Sequence, residues 1–147
     1  AYLTAGLAIA QLLGAPAGAV ASGRWGRMPV ILGCMVAMSI ATVLVPHVPG
    51  RALVFAAVVL VGLFSLAYFA PRFGIVPEVV ARPEEIGPAT GLANTLGFSI
   101  SMLAPWLFGL ALDGGWGYGA GYLILAAFGF AGALGVAVFR APERRKN

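Results

Sequence analysis

The feature that most restricts what this chain can become is the length of its uncharged apolar runs. Residues 1–21, 28–45, 88–112 and 118–139 contain no Asp, Glu, Lys or Arg, and residues 52–76 contain only Arg72. A run of about 20 apolar residues, wound as a helix, crosses the hydrocarbon of a bilayer. A membrane strand needs roughly half that length and alternates apolar with polar residues. In hydrocarbon every backbone N–H needs a partner within the protein, so a continuous run closes its own ladder as a helix. The sequence therefore predicts an all-α fold: an integral membrane helical bundle of about five transmembrane helices, over residues 1–21, 28–45, 52–76, 88–112 and 118–139.

Composition removes the soluble alternative. The chain is 61% hydrophobic and 10% charged over 147 residues, where soluble domains are ~25% charged. A soluble domain of this size has too little interior to hide so much apolar surface from water. The connections read as polar punctuation. Residues 22–27 read as a short polar loop and residues 46–51 as a Pro- and Gly-containing turn. Residues 77–87, with Glu78, Arg82, Glu84 and Glu85, read as a loop in water, and residues 113–117 as a tight turn. Residues 140–147 form a basic tail with Arg140, Arg144, Arg145 and Lys146. The chain opens on an apolar run with neither a methionine nor a charged leader, which reads as a chain entered partway through a longer protein.

The nine Lys and Arg against five acids give a net charge of +4. These bases sit between and after the apolar runs rather than on one soluble face, so nucleic acid is not the expected partner; the lipid bilayer is. With five spans, eight of the nine bases fall on one side and Arg51 alone on the other. The positive-inside rule places the richer side, including the 140–147 tail, in the cytoplasm. Trp25, Trp116 and Tyr118 fall at the span boundaries, where aromatic belts form.

Small residues recur at helical spacing. Gly6, Ala10, Gly14 and Gly18 lie on one face of the first segment, and Gly33, Ala37 and Ala41 on one face of the second. Ala89, Ala93, Gly97, Ser101, Pro105 and Gly109 do so in the fourth, and Gly129, Gly132 and Gly135 in the fifth. Each stripe is expected to let a neighbouring helix approach closely. Pro16 and Pro105 are each expected to kink their helices. No catalytic site, metal site or cofactor site emerges. There is no His pair, no acid pair within a helix, no nucleophile with a base and no phosphate-binding glycine motif. The lone cysteine, Cys34, lies within an apolar run and reads as a small apolar residue.

Three stretches together resemble the C-terminal half of major facilitator superfamily transporters. Arg24, Gly26 and Arg27 match that family's cytoplasmic loop signature, Gly-x-x-x-Asp-Arg-x-Gly-Arg-Arg, while Ala19, Gly23 and Met28 depart from it. Pro77 and Glu78 followed by Gly87, Gly91 and Asn94 resemble the junction of the family's tenth and eleventh helices. Pro105, Gly109 and Asp113 are similar to the end of its eleventh. The resemblance implies a partial major-facilitator-type fold, the last five helices, with seven N-terminal helices of the same protein as missing partners. It implies a cavity-lining role for the third segment, flanking roles for the first and fourth, and peripheral roles for the second and fifth. Such proteins move solutes by rocking two halves about a midplane site.

Arg72 lies about 12 Å along the helix from the middle of its segment, at 1.5 Å per residue. It reads either as a cationic contact for an anionic solute or as a side chain snorkelling to the interface. Tyr68 and Ser65 are placed to line a polar cavity with it. Asn94 reads as a contact to another helix or to a solute, whereas hydroxyls such as Thr95, Ser99 and Ser101 can be satisfied by their own helix backbone. Glu78 reads as a latch to Arg24 or Arg27 at the inner gate, or as a solvated acid; Glu84 and Glu85 read as solvated. The functional expectation is secondary active transport of a small solute, by symport or antiport, in the plasma (inner) membrane. No acid lies within a span to carry a proton, which leaves the carrier to the missing part or makes the protein a uniporter. The alternative is a non-transporting membrane scaffold or assembly subunit.

Overall fold

The computed structural model describes residues 2–138; the basic tail over residues 140–147 lies outside the described residues. Among the described residues six α-helices follow in order: α1 (Tyr2–Trp25), α2 (Arg27–Leu44), α3 (Arg51–Ala67), α4 (Phe69–Val79), α5 (Ile86–Asp113) and α6 (Gly117–Val138). A single 3-10 turn, Pro83–Glu85, precedes α5, and no strand occurs among the described residues. With α3 and α4 taken as one path, five helical stretches among the described residues are long and apolar enough to cross a membrane. The fold is an all-α membrane helical bundle.

The first polar loop of the sequence reading is almost absent. Residues 22–25 continue α1, and Gly26 alone joins α1 to α2. Gly26 takes φ 85°, a left-handed value that reverses the chain where a side chain would be strained. Its amide closes the α1 ladder onto the Ser22 carbonyl at 3.1 Å. Arg24 and Trp25 are therefore the last turn of α1, and Arg27 is the first residue of α2.

The third segment is two helices. Pro71 has no N–H to give to the Ala67 carbonyl, and its ring crowds that carbonyl. The ladder breaks there: Tyr68 turns between α3 and α4, and the Arg72 amide resumes on Tyr68 O at 3.2 Å. By contrast, α1 runs through Pro16 and α5 through Pro105 as single helices.

Burial is inverted relative to a soluble protein. Much of the buried core is alanine, among them Ala10, Ala41, Ala57, Ala67, Ala111, Ala126 and Ala133. Large side chains such as Leu12, Leu92, Phe98, Met102 and Trp106 point outward. Lipid gives helices no hydrophobic drive to associate, so close approach of small residues does the packing.

α1 lies against α3, α3 against α2, α2 against α6, and α6 against α5, while α4 touches α1, α2 and α5. The small-residue stripe of α1 faces α3: Gly14 abuts the Leu63 carbonyl, Gly18 the Ala67 carbonyl and Gly6 the Phe55 ring. On α6, Gly129 receives Ser39 and Gly132 receives Met35 from α2. The stripe of α5 behaves differently. Ala93, Ser101 and Pro105 stay exposed, Ala89 is half-buried, and a Cβ at Gly109 would meet open space. On that face the space at Gly97 is occupied by the end of Arg72.

Candidate functional site

Two constellations of charge lie on α4, which begins after the break at Tyr68. Restarting the helix there places Phe69, Arg72 and Phe73 at i, i+3 and i+4, on one face. The Arg72 guanidinium sits 5.6 Å from the Phe69 ring centroid and 5.9 Å from that of Phe73. The two rings are 5.7 Å apart and tilted. Across the gap, Arg72 Nη2 donates to Asn94 Oδ1 at 3.4 Å and to the Ala93 carbonyl at 3.3 Å, both long bonds. Gly97, one turn on from Ala93, leaves the space that the guanidinium fills, since a Cβ there would lie 2.9 Å from Nη2.

Among the described residues Arg72 has no acidic partner, and its Nη1 and Nε make no hydrogen bond. The arrangement holds a cation by one edge, with aromatic rings beside it, and leaves the other edge free. A guanidinium edge of this kind suits two oxygens of a carboxylate, phosphate or sulfonate.

The other residues singled out with Arg72 are placed elsewhere. Ser65 gives its hydroxyl proton to the Gly62 carbonyl at 2.8 Å, inside its own helix. Tyr68 packs against the buried cluster of Val30, Cys34 and Ala67 and stacks at a tilt on Phe69, 5.2 Å between centroids. Thr95 and Ser101 bond to carbonyls of their own helix four residues back. Phe69, Phe73 and Gly97 were missed as parts of an arginine site. The signal was present in the Phe-x-x-Arg-Phe spacing, which any helix turns into one face.

The second constellation ties the start of α2 to the end of α4. Arg27 Nη1 pairs with Glu78 Oε1 at 2.6 Å and also donates to the Gly74 carbonyl. Gly74 and Glu78 are four residues apart, on one face of α4. A Cβ at Gly74 would lie 2.8 Å from Arg27 Cζ, so the glycine admits the guanidinium. The pair is partly in water, with the Arg27 side chain 39% and that of Glu78 60% exposed. Of the two bases weighed as partners of Glu78, Arg27 makes the contact; Arg24 is exposed and forms no ion pair among the described residues. Arg82, Glu84 and Glu85 are exposed. His47 donates from Nδ1 to the Val43 carbonyl at 2.8 Å.

A sequence model of the Major Facilitator Superfamily matches residues 1–147. The chain belongs to the major facilitator superfamily. No curated protein and no solved structure matches it. Superfamily members are membrane transporters rather than enzymes, so transport across a membrane is the general function to which this chain belongs. A small solute and a lipid environment follow from that membership.

Proposed function

We propose that the chain is part of the C-terminal half of a secondary active transporter, in which Arg72 contacts a small anionic solute and Arg27–Glu78 latches the inner gate. The observation that carries this reading is Arg72: a cation in a membrane helix, with no acidic partner among the described residues, held loosely to α5 by Asn94 and the Ala93 carbonyl. An ionisable group at membrane depth is costly and marks a solute or ion pathway by default. In alternating access α4 and α5 rock together against the opposite half of the transporter. Two long hydrogen bonds between them suit a contact that a solute replaces.

The latch reading rests on the Arg27–Glu78 pair joining α2 to α4. An exposed pair contributes at most about 1 kcal/mol, enough to bias two nearly balanced states and too little to lock one. In this reading the Arg24, Arg27 and Arg82 end faces the cytoplasm with the tail, in the plasma membrane, and helices preceding residue 1 complete the solute path. Ion coupling, as symport or antiport, belongs to the same reading.

The test is uptake of organic and inorganic anions by the full-length protein in energised vesicles. Uptake that collapses with an uncoupler, and with Arg72→Ala, is the expected result. Uptake that ignores the ion gradient removes coupling. Uptake untouched by Arg72→Ala, together with altered complex formation, favours a membrane scaffold instead.

A further inference from the structure

We propose that the groove between α1, α2 and α3 holds one acyl chain of an anionic glycerophospholipid, with Arg24 pairing with its phosphate. This site is separate from Arg72 and rests on the membrane fold alone.

The groove is a cavity of about 400 Å³. Its walls include Ala17, Gly18 and Ala21 on α1, Gly33 on α2 and Phe64 on α3, with Trp25 and Pro29 at one end. Every lining residue is apolar. Ala17, Trp25, Pro29 and Gly33 are exposed, so the slot opens to the outside of the bundle. It is built by absence of side chains, since a Cβ at Gly33 would meet nothing within 4 Å.

Shape selects the occupant. From Ala17 to Trp25 the groove follows α1 for about 12 Å, at 1.5 Å per residue. That is most of one leaflet of a ~30 Å hydrocarbon core. A helix with its side chains is roughly 10–12 Å across, so a stretch of it as long as the groove would fill on the order of 1,000 Å³, more than the groove's 400 Å³. An extended alkyl chain entering from one interface fits it.

Charge selects the headgroup. Ala17, Ala21 and Arg24 are spaced i, i+4 and i+7, so Arg24 continues the α1 face that lines the groove. It lies at the end marked by Trp25, which is 73% exposed and of the residue type that sits at headgroup level. Arg24 forms no ion pair among the described residues, while its neighbour Arg27 is taken by Glu78. An apolar slot with an unpaired cation at its interfacial mouth matches a lipid phosphate above one buried chain.

The experiment uses the full-length protein carrying Trp25 as its only tryptophan, every other tryptophan, Trp106 and Trp116 among them, being changed to Phe. It is placed in phosphatidylcholine bilayers containing acyl-brominated phosphatidylglycerol or, in parallel, acyl-brominated phosphatidylcholine. Bromine quenches tryptophan on contact. The anionic lipid is expected to half-quench Trp25 at a mole fraction about fivefold lower, the preference one interfacial base supplies. Arg24→Ala, an exposed change, should bring the two lipids level. Ala21→Phe, which fills the slot, should do the same, and Arg82→Ala should leave the preference in place. Equal quenching by both lipids in the parent protein, or a preference that survives Arg24→Ala or Ala21→Phe, overturns the site. Loss of the preference with Arg82→Ala also overturns it, by showing a diffuse field.

Discussion

At the scale of single residues, Arg72 concentrates the chemistry. Its guanidinium has a fixed planar fork, and the contacts to Asn94 and Ala93 use Nη2 alone. Lys at this position would keep the charge and lose the fork, so the two changes separate charge from geometry. Losing a hydrogen bond to a charged group removes about 1.5–3 kcal/mol. Arg72→Ala is therefore expected to raise KM for an anionic solute roughly 10- to 100-fold by that same principle, and Arg72→Lys to raise it less. Gly97→Ala tests the same site from α5. The added methyl would meet only the flexible end of Arg72 at 2.9 Å. It should move the guanidinium and raise KM while thermal unfolding stays near the parent value. An unchanged KM in both Arg72→Ala and Gly97→Ala would take the solute contact away from this face.

At the scale of elements, the break between α3 and α4 and the α1 stripe are one device. Pro71 deprives the Ala67 carbonyl of its helical donor, and that carbonyl is the atom on which Gly18 packs. A side chain at Gly18 would collide with backbone, which cannot swing aside. Gly18→Val is expected to destabilise the bundle by about 1–3 kcal/mol, the usual range for overpacking. Thermal unfolding in detergent, followed by the reactivity of the buried Cys34 thiol, reads this out. Gly23→Ala is the matched control. It lies in the same helix with nothing within 4 Å of the added methyl, and it should be neutral or stabilise by up to ~1 kcal/mol through helix propensity. Similar losses for both would mean that α1 is sensitive along its whole length, and that the carbonyl contact is nothing special.

At the scale of the whole molecule, the Arg27–Glu78 pair and the membrane orientation are linked, because a gate has a side. In a double-mutant cycle of Arg27→Ala and Glu78→Ala, the coupling in the inward–outward population should be at most about 1 kcal/mol. It should shrink at high salt. The readout is accessibility of a cysteine placed in the pathway, on a background in which every native cysteine, Cys34 among them, is changed to Ser. On that same background, His47→Cys is expected to react with an impermeant maleimide in intact cells. Glu84→Cys should react only after permeabilisation. The reverse pattern would invert the proposed orientation and move the latch to the outer gate.

What the chain is made of determined that it folds as membrane helices. Uncharged runs of membrane length leave the backbone no other way to satisfy itself in hydrocarbon, and the glycine spacing marked the face by which α1 meets α3. Local chemistry also carried the aromatic frame of Arg72, since Phe69 and Phe73 reach it within their own helix. Tertiary structure alone decided the rest. It selected Arg27 over Arg24 as the partner of Glu78, because a one-residue turn at Gly26 sends the two bases to different helices. It joined Arg72 to Asn94, 22 residues away, and it turned Ser65 and Tyr68 to other partners. Periodicity states which residues share a face; which face meets which neighbour is settled only when separate helices pack, and those contacts are non-local in sequence.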